Sequence, residues 1–305
     1  MCRLAELSTE QRNPRSRDLD LMEPLQVAQL MNSEDRRVVD AVEEALPQVA
    51  EAIELATASL RAGGRIVYLG AGTSGRLGVL DAAECPPTFG VSSDVVVGLI
   101  AGGEEALLKA VEGAEDSTTQ GRQDLEALGL SSRDTVIGLA ASGRTPYVVH
   151  GLRYARSVGC KTVAIACTKR SAIGAEADVA IEVVTGPEVL TGSTRLKAGT
   201  AQKMILNMIS TGSMVGWGKA YQNLMVDVQP TNEKLRERAR RIVMEATGCS
   251  YERAAQALGE AGGETKTAIV ALLLDLPADE SRQVLGRAHG RIREALGNKR
   301  GEAHG

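Results

Sequence analysis

Two glycine-rich stretches carry hydroxyl groups in a pattern suited to holding a phosphate group. The first, Gly70–Gly75, follows the apolar run 65–69 and precedes a stretch typical of a helix. A strand, a glycine-rich turn and a helix N-terminus bring backbone N–H groups and hydroxyls to one point, and such points attract anions. We therefore predict that Gly72, Thr73 and Ser74 bind phosphate.

The glycine spacing of this stretch also fits the dinucleotide fingerprint G-x-G-x-x-G. That fingerprint expects an acidic residue at the end of the second strand, where it holds the ribose. The second predicted strand, 95–100, continues into Ala101-Gly102-Gly103, and the nearby acid Asp94 stands before the strand. Dinucleotide binding is therefore the weaker interpretation.

The second stretch repeats the pattern of the first. The predicted strand 135–139 leads into a turn that contains Ser142, Gly143 and Thr145, and Pro146 follows at the predicted first position of a helix. Two such turns at the carboxyl ends of parallel strands can hold one phosphate from both sides. The alternative is that Ser142 and Thr145 only cap a helix. The presence of two similar turns favours phosphate binding.

Strands and helices alternate between residues 65 and 184, and this alternation must position both turns. The pattern predicts an α/β fold with a parallel five-stranded sheet and helices on both faces. The predicted strands are 65–69, 95–100, 135–139, 162–166 and 179–184, and the clearest helices between them are 104–112 and 146–157.

The flanking regions differ in character from this core. The polar segment 9–20 is expected to be poorly ordered, as termini usually are. Helical patterns begin after Pro24 and again at a predicted N-cap in 32–35, and Pro47 should kink the helix or begin a new one. Beyond residue 232 the sequence predicts charged helical segments, which are 233–247, 250–261, 264–274 and 279–296.

Composition excludes several classes of site. The net charge of −4 argues against a surface for nucleic acid or anionic membrane. Five scattered cysteines without a C-x-x-C pair, together with three histidines, argue against zinc and disulfide frameworks. We found no apolar stretch of about 20 residues and no signal-peptide pattern. We expect a cytoplasmic protein without metal or cofactor.

The two turns resemble the sugar-phosphate loops of sugar isomerase (SIS) domains. A third stretch, Gly186–Lys203, is similar to the signature shared by bacterial N-acetylmuramic acid 6-phosphate etherases and the vertebrate glucokinase regulatory protein. The etherase resemblance covers nearly the whole chain, including the runs 9–14, 81–89 and 111–116. It implies a SIS domain over 55–232, preceded by an N-terminal segment with helices (1–54) and followed by a UBA-like helical bundle (233–300).

The resemblance also implies an activity. An etherase of this family is a carbon–oxygen lyase that removes the D-lactyl group from C3 of N-acetylmuramic acid 6-phosphate by elimination and hydration. The products are N-acetylglucosamine 6-phosphate and D-lactate, formed during recycling of cell-wall amino sugar. The resemblance further implies a homodimer with the active site near the subunit boundary.

Such an elimination needs a base and an acid, and two carboxyl groups near the sugar can supply both. Glu84 has apolar sequence neighbours, which predicts burial and a raised pKa, and the resemblance makes it the acid. The second carboxyl lies among Glu112, Glu115 and Asp116. Helical spacing does not choose between Glu112 and Glu115, whereas the resemblance implies that Glu115 is the base.

Three further positions have weaker assignments. Glu188, predicted on a loop after the last strand, is a candidate for substrate contact. Lys197 and Lys203, on a helix predicted over 196–215, are expected to be surface charges, as is Arg195.

Two other function classes compete with the etherase interpretation. One is a non-catalytic sugar-phosphate sensor similar to the glucokinase regulator, and the other is an aldose–ketose isomerase on the same scaffold. Regulators of that family carry two SIS domains in a longer chain, whereas this chain has room for one. The match over the whole length favours the etherase.

Overall fold

The computed structural model describes residues 8–228 and 232–297, so the outermost predicted domain limits, 1 and 300, lie outside the described residues. The chain forms two compact units. The first contains the residues up to Ala83 and Ser93–Ser213, and the second contains Glu84–Ser92 and the residues from Met214 onward.

The first unit is built on a parallel five-stranded sheet, which confirms the predicted fold class. Its strands are β1 (Ile66–Gly70), β2 (Val96–Ile100), β3 (Thr135–Leu139), β4 (Lys161–Ala166) and β5 (Val179–Glu182). Every residue of β1 and of β3 is buried, as expected for strands covered by helices on both faces.

The strand order β2-β1-β3-β4-β5 reverses direction at β1. On one side of β1, Gly70 pairs with Ile100, and on the other side it pairs with Leu139. The chain therefore leaves β1 and β3 at neighbouring points of the same sheet edge. In sheets of this type the reversal opens a crevice at the carboxyl ends of the strands, where ligands bind.

Eight helices in the described part of the chain belong wholly or mainly to this unit. They are α1 (Pro24–Glu43), α2 (Leu46–Arg61), α3 (Gly72–Phe89), α4 (Glu105–Leu108), α5 (Gln120–Ala127), α6 (Pro146–Val158), α7 (Ala172–Ala175) and α8 (Lys197–Trp217). The last residues of α3 and of α8 belong to the second unit.

Two predicted helix boundaries are wrong. Helix α1 runs without interruption through 32–35, because Pro24 and the reciprocal capping of Glu23 and Gln26 already start it. The helix predicted over 104–112 shrinks to α4, since Lys109 is extended and Gly113 is left-handed. Pro47 begins a new helix, α2, which is one of its two predicted outcomes.

Glycines allow α3 to lie directly on the sheet. A Cβ added to Gly98 in β2 would stand 2.6 Å from Cα of Val79, and one added to Gly78 would stand 2.9 Å from Cβ of Tyr68. Such distances are far below van der Waals contact. Close approach of backbones therefore contributes to the packing of α3 on β1 and β2.

The N-terminal segment is ordered over its described residues, so the prediction of a poorly ordered terminus is wrong for 8–20. It forms three short 3₁₀ turns, Ser8–Glu10, Pro14–Ser16 and Leu19–Leu21. The Asn13 amide nitrogen donates to Oε2 of Glu34 at 2.9 Å and to the carbonyl of Pro187 at 3.1 Å. The segment is thereby fixed to α1 and to the loop after β5.

Glu34 lies at the centre of a buried charge network. Its carboxylate accepts from Lys197 Nζ at 2.6 Å and from Arg15 Nη1 at 2.7 Å, and the Glu34 and Lys197 side chains are 0% and 1% exposed. The prediction that Lys197 is a surface charge is therefore wrong. Burial raises the pKa of Glu34, but the bonds from Lys197, Asn13 and Arg15 together outweigh it and hold that pKa below its usual value.

The second unit is a bundle of short helices, which confirms the predicted helical C-terminal region. Its helices are α9 (Glu233–Thr247), α10 (Tyr251–Glu260), α11 (Thr265–Leu274), α12 (Ala278–Arg287) and α13 (Ile292–Ala295). The segment predicted as one helix over 279–296 is divided, because His289 and Gly290 both adopt positive φ angles. No helix in the described part of the chain is long and apolar enough to cross a membrane.

We predict that Lys197→Met lowers the free energy of unfolding by about 3–5 kcal/mol at pH 7.5, because it leaves the buried Glu34 carboxylate without its principal partner. Burial would then raise the Glu34 pKa above its unfolded value, so the variant regains stability as pH falls toward 4.5. In the wild type the Glu34 pKa is shifted downward instead, so the wild type loses stability as the pH falls below about 4.5. The loss caused by the substitution must therefore shrink in acid, as measured by urea unfolding at both pH values.

Lys203→Met provides the matched control on the same helix. Lys203 is partly exposed and stands 3.6 Å from Asp81, so its removal should cost less than about 1 kcal/mol. Equal costs for the two lysine variants, or a Lys197→Met cost that does not change with pH, would contradict the assigned role of the network.

Candidate functional site

The first hydroxyl loop joins β1 to α3 through a turn that only glycines fit. A Cβ on Gly70 would lie 2.8 Å from the Gly75 nitrogen, and one on Gly75 would lie 2.7 Å from the Gly70 oxygen. Helix α3 consequently begins at Gly72, two residues after the strand ends. Its first N–H groups have no acceptor within the helix, so they are available to an anion at the sheet edge.

Ser74 is buried in this loop and has one protein partner. Its hydroxyl donates to Oε1 of Gln202 on α8 at 2.8 Å. Thr73 is half-buried, and its Cγ2 lies 3.7 Å from the position of a Cβ added to Gly199, also on α8. Sequence analysis missed the part played by Gln202, since nothing local signals a contact between residues 128 positions apart.

The second hydroxyl loop joins β3 to α6. Gly143 has a φ of +70° and lies against Ser171, whereas Ser142 and Thr145 are half-buried. Thr145 occupies the N-cap position of α6, yet its side chain makes no capping hydrogen bond. The capping interpretation is therefore wrong for Thr145, and its hydroxyl remains available at the sheet edge.

Helix α8 brings the loops of three strands together. Ala198 in its first turn packs with Ala141 after β3 and with Cys167 after β4, and Gln202 one turn later holds Ser74 after β1. The predicted phosphate-binding residues of both hydroxyl loops therefore lie along one sheet edge, beside one helix. Their contacts with a phosphate remain a prediction.

Glu188 fixes the start of α8. Its two carboxylate oxygens accept the backbone N–H groups of Lys197 and Ala198, each at 3.0 Å, and the residue is 1% exposed. Burial raises the pKa of Glu188 in spite of these two bonds. The predicted contact between Glu188 and substrate remains a prediction, while its contact with α8 is a structural role that sequence analysis did not foresee.

Glu115 lies on the 3₁₀ turn Ala114–Asp116, which packs against α6. Since Glu112 precedes this turn and lies outside any helix, the expected helix face shared by Glu112 and Glu115 does not exist. Both carboxylates, and that of Asp116, are exposed. The turn places Glu115 in the same compact unit as the two hydroxyl loops.

Glu84 lies within α3, which continues through Pro86 and Pro87 to Phe89. It is exposed in the single chain, so the predicted burial is wrong. The reason is geometric: residues one or two positions away in a helix point in other directions, and the neighbours on a shared face are three or four positions away. For Glu84 that face includes Leu80 and Pro87, which are themselves exposed.

Among the described residues no group of three or more His, Cys, Asp or Glu side chains is placed to hold a metal ion.

Comparison with known proteins identifies the family. An N-acetylmuramic acid 6-phosphate etherase of Pectobacterium atrosepticum is 60% identical over 96% of this chain and 97% of its own length. That of Mycolicibacterium smegmatis is 58% identical over 96% of this chain and 99% of its own. This chain belongs to the N-acetylmuramic acid 6-phosphate etherase family.

Two family models match overlapping parts of the chain. The model of the glucokinase regulatory protein N-terminal SIS domain matches residues 48–156, and the SIS domain model matches 117–211. Together they span both hydroxyl loops and the first part of α8. A phosphoheptose isomerase structure from Francisella tularensis, 16% identical, covers 64% of this chain and 100% of its own with a TM-score of 0.49.

We predict that Gly143→Ala destabilises the protein by about 3 kcal/mol or more, because a Cβ there combines a left-handed backbone with a position 2.5 Å from Cβ of Ser171. Gly72→Ala is the matched comparison, since Gly72 also has a positive φ but a Cβ would meet no atom within 4 Å. It should cost only about 1–2 kcal/mol. Urea unfolding of the two variants tests the difference, and equal costs would contradict the packing argument.

Proposed function

We propose that this chain is an N-acetylmuramic acid 6-phosphate etherase, a carbon–oxygen lyase that forms N-acetylglucosamine 6-phosphate and D-lactate. The observation that supports it most is the pair of hydroxyl loops on neighbouring parallel strands, in a chain 60% identical to a named etherase over nearly its whole length. The proposed sugar-phosphate domain covers 55–232, between an N-terminal segment (1–54) and a UBA-like bundle (233–300).

The phosphate of the sugar binds between the two loops. Gly72, Thr73 and Ser74 present the N-terminus of α3, whose partial positive charge favours a phosphate dianion. Ser142 and Thr145 donate from the neighbouring loop, and the left-handed Gly143 allows the backbone to turn between them. These contacts hold the sugar through its phosphate group, which is remote from the reacting carbons C2 and C3.

The elimination uses the open-chain form of the sugar. The C2 proton is acidic because it is α to the aldehyde, and the ether oxygen at C3 is β to it. Glu115 removes the C2 proton, and the C–H electron pair forms the C2–C3 double bond through an enolate while the C3–O bond breaks. Glu84 donates a proton to the departing lactate oxygen. Water then adds at C3 and gives a proton to the Glu84 carboxylate, while Glu115 returns its proton to C2.

The acid role demands more than an exposed carboxyl group provides. A free glutamate titrates near pH 4.3, so a general acid that works at neutral pH needs surroundings that disfavour the charged carboxylate, through exclusion of water or a neighbouring carboxylate. We propose that the enzyme is a homodimer with its site near the subunit boundary, so that bound sugar and a second chain exclude water from Glu84.

We expect the purified protein to release D-lactate from N-acetylmuramic acid 6-phosphate in H₂¹⁸O and to leave ¹⁸O at C3 of N-acetylglucosamine 6-phosphate. Elimination followed by hydration requires that label, because the C3–O bond of the substrate is broken. Mass spectrometry of both products provides the measurement. Binding of the phosphosugar without lactate release would favour a sensor, and conversion to a ketose would favour an isomerase.

Substitution of Glu115 and substitution of Glu84 should block different steps of the reaction. Glu115→Gln should abolish exchange of the C2 proton in D₂O, whereas Glu84→Gln should retain that exchange and lose lactate release, each with a fall in kcat of about 10²–10⁴. Glu112→Gln, three positions away on the same exposed segment, is the control and should stay active. NMR detection of C2 proton exchange distinguishes these outcomes. Loss of exchange in Glu112→Gln rather than in Glu115→Gln would show that Glu112 is the base.

A further inference from the structure

The two polar atoms of the buried Gln202 amide differ in their hydrogen bonding. Its oxygen accepts the proton of Ser74 at 2.8 Å, whereas its Nε2 group has no hydrogen-bond partner among the described residues, although the side chain is fully buried. A buried amide nitrogen without an acceptor destabilises a protein and normally finds a partner. The arrangement is incomplete as it stands, and the incomplete group lies beside the first hydroxyl loop.

The direction of the hydrogen bond is also wrong for binding an anion. A phosphate monoester near neutral pH offers mainly acceptor oxygens, so Ser74 must donate to it. A serine hydroxyl has one proton and two acceptor lone pairs. While that proton is directed to Gln202, Ser74 has no donor for a ligand.

Rotation of the Gln202 amide by 180° corrects both defects. The carboxamide oxygen and NH₂ group are close in size, so they exchange places without repacking of α8. Nε2 then donates to Ser74 Oγ, and the Ser74 proton is directed to the ligand. Nε2 gains a partner, the carboxamide oxygen takes the unpaired position that Nε2 held, and the anion gains a hydroxyl donor.

We propose that Gln202 is a positioning residue, whose hydrogen bond with Ser74 reverses when the phosphate group of a phosphosugar binds at the first loop. This inference rests on the proposed function only for the identity of the ligand, since the reversal follows for any phosphate monoester held there. It assigns Gln202 no contact with the reacting atoms. Its effect is on the affinity for the phosphate group.

The test is a double-mutant cycle with Gln202→Met and Ser74→Ala in the full chain. Methionine fills a similar volume and offers no amide. With N-acetylglucosamine 6-phosphate as the calorimetric probe, Gln202→Met should weaken binding about 5–10-fold when Ser74 is present, and less than about twofold when residue 74 is alanine. Asn207→Met, an exposed amide on the same helix, is the control and should bind as the wild type does.

Stability and kinetics distinguish positioning from a structural role. Gln202→Met should change Tm by less than about 2 °C, because it removes an unpaired buried donor together with one hydrogen bond. In lactate-release assays it should raise KM in the same ratio as the dissociation constant and leave kcat within about twofold, the pattern of lost uniform binding. A structural role would instead lower Tm and would weaken binding equally in both backgrounds.

Three results would overturn the reversal: equal Gln202→Met effects with serine and alanine at position 74, no effect in either, or no binding of the probe by the wild type. Failure of the etherase proposal is separate from these. It would show as tight binding of the probe with a coupled cycle, but without release of lactate from N-acetylmuramic acid 6-phosphate.

Discussion

The buried ion pair between Glu34 and Lys197 is the interaction on which the rest of the first unit depends. It joins α1 to the first turn of α8, and Asn13 and Arg15 extend it to the N-terminal segment. A buried charge that loses its partner costs several kcal/mol, so the partners of the buried Glu34 carboxylate help to hold these elements together. Since α8 also contacts the loops after β1, β3 and β4, a network of charges remote in sequence sets the position of the helix beside the candidate site.

A second constraint is the close approach of backbones, which glycines permit both at the candidate site and in the packing of α3 on the sheet. Gly70 and Gly75 leave no space for a side chain where β1 turns into α3, and that closeness is what brings the helix N-terminus to the sheet edge. Gly98 and Gly78 hold the body of α3 against β2 and β1 in the same manner. One aromatic side chain still fits between them, since Tyr68 of β1 is buried and donates to Asp81 of α3.

Local signals explain which features were predictable. The strands, the two hydroxyl loops and most bundle helices follow from short runs of apolar residues, glycines and caps, each readable within a few positions. Contacts such as Lys197 with Glu34, 163 positions apart, have no such signal, and Lys197 by itself looks like any surface lysine. The order of the N-terminal segment depends on the same distant partners. The contact between Ser74 and Gln202 likewise has no local signal, because it forms only where α8 lies beside the loop.

The exposure of Glu84, where the sequence predicts burial, bears on the proposed mechanism. Apolar neighbours in sequence do not bury a helical carboxylate, because they occupy other faces of the helix. Glu84 and Glu115 are both exposed in the single chain and belong to different compact units. An acid that must keep its proton near neutral pH therefore requires an environment that α3 alone does not supply. We propose that the bound sugar and a second subunit supply it.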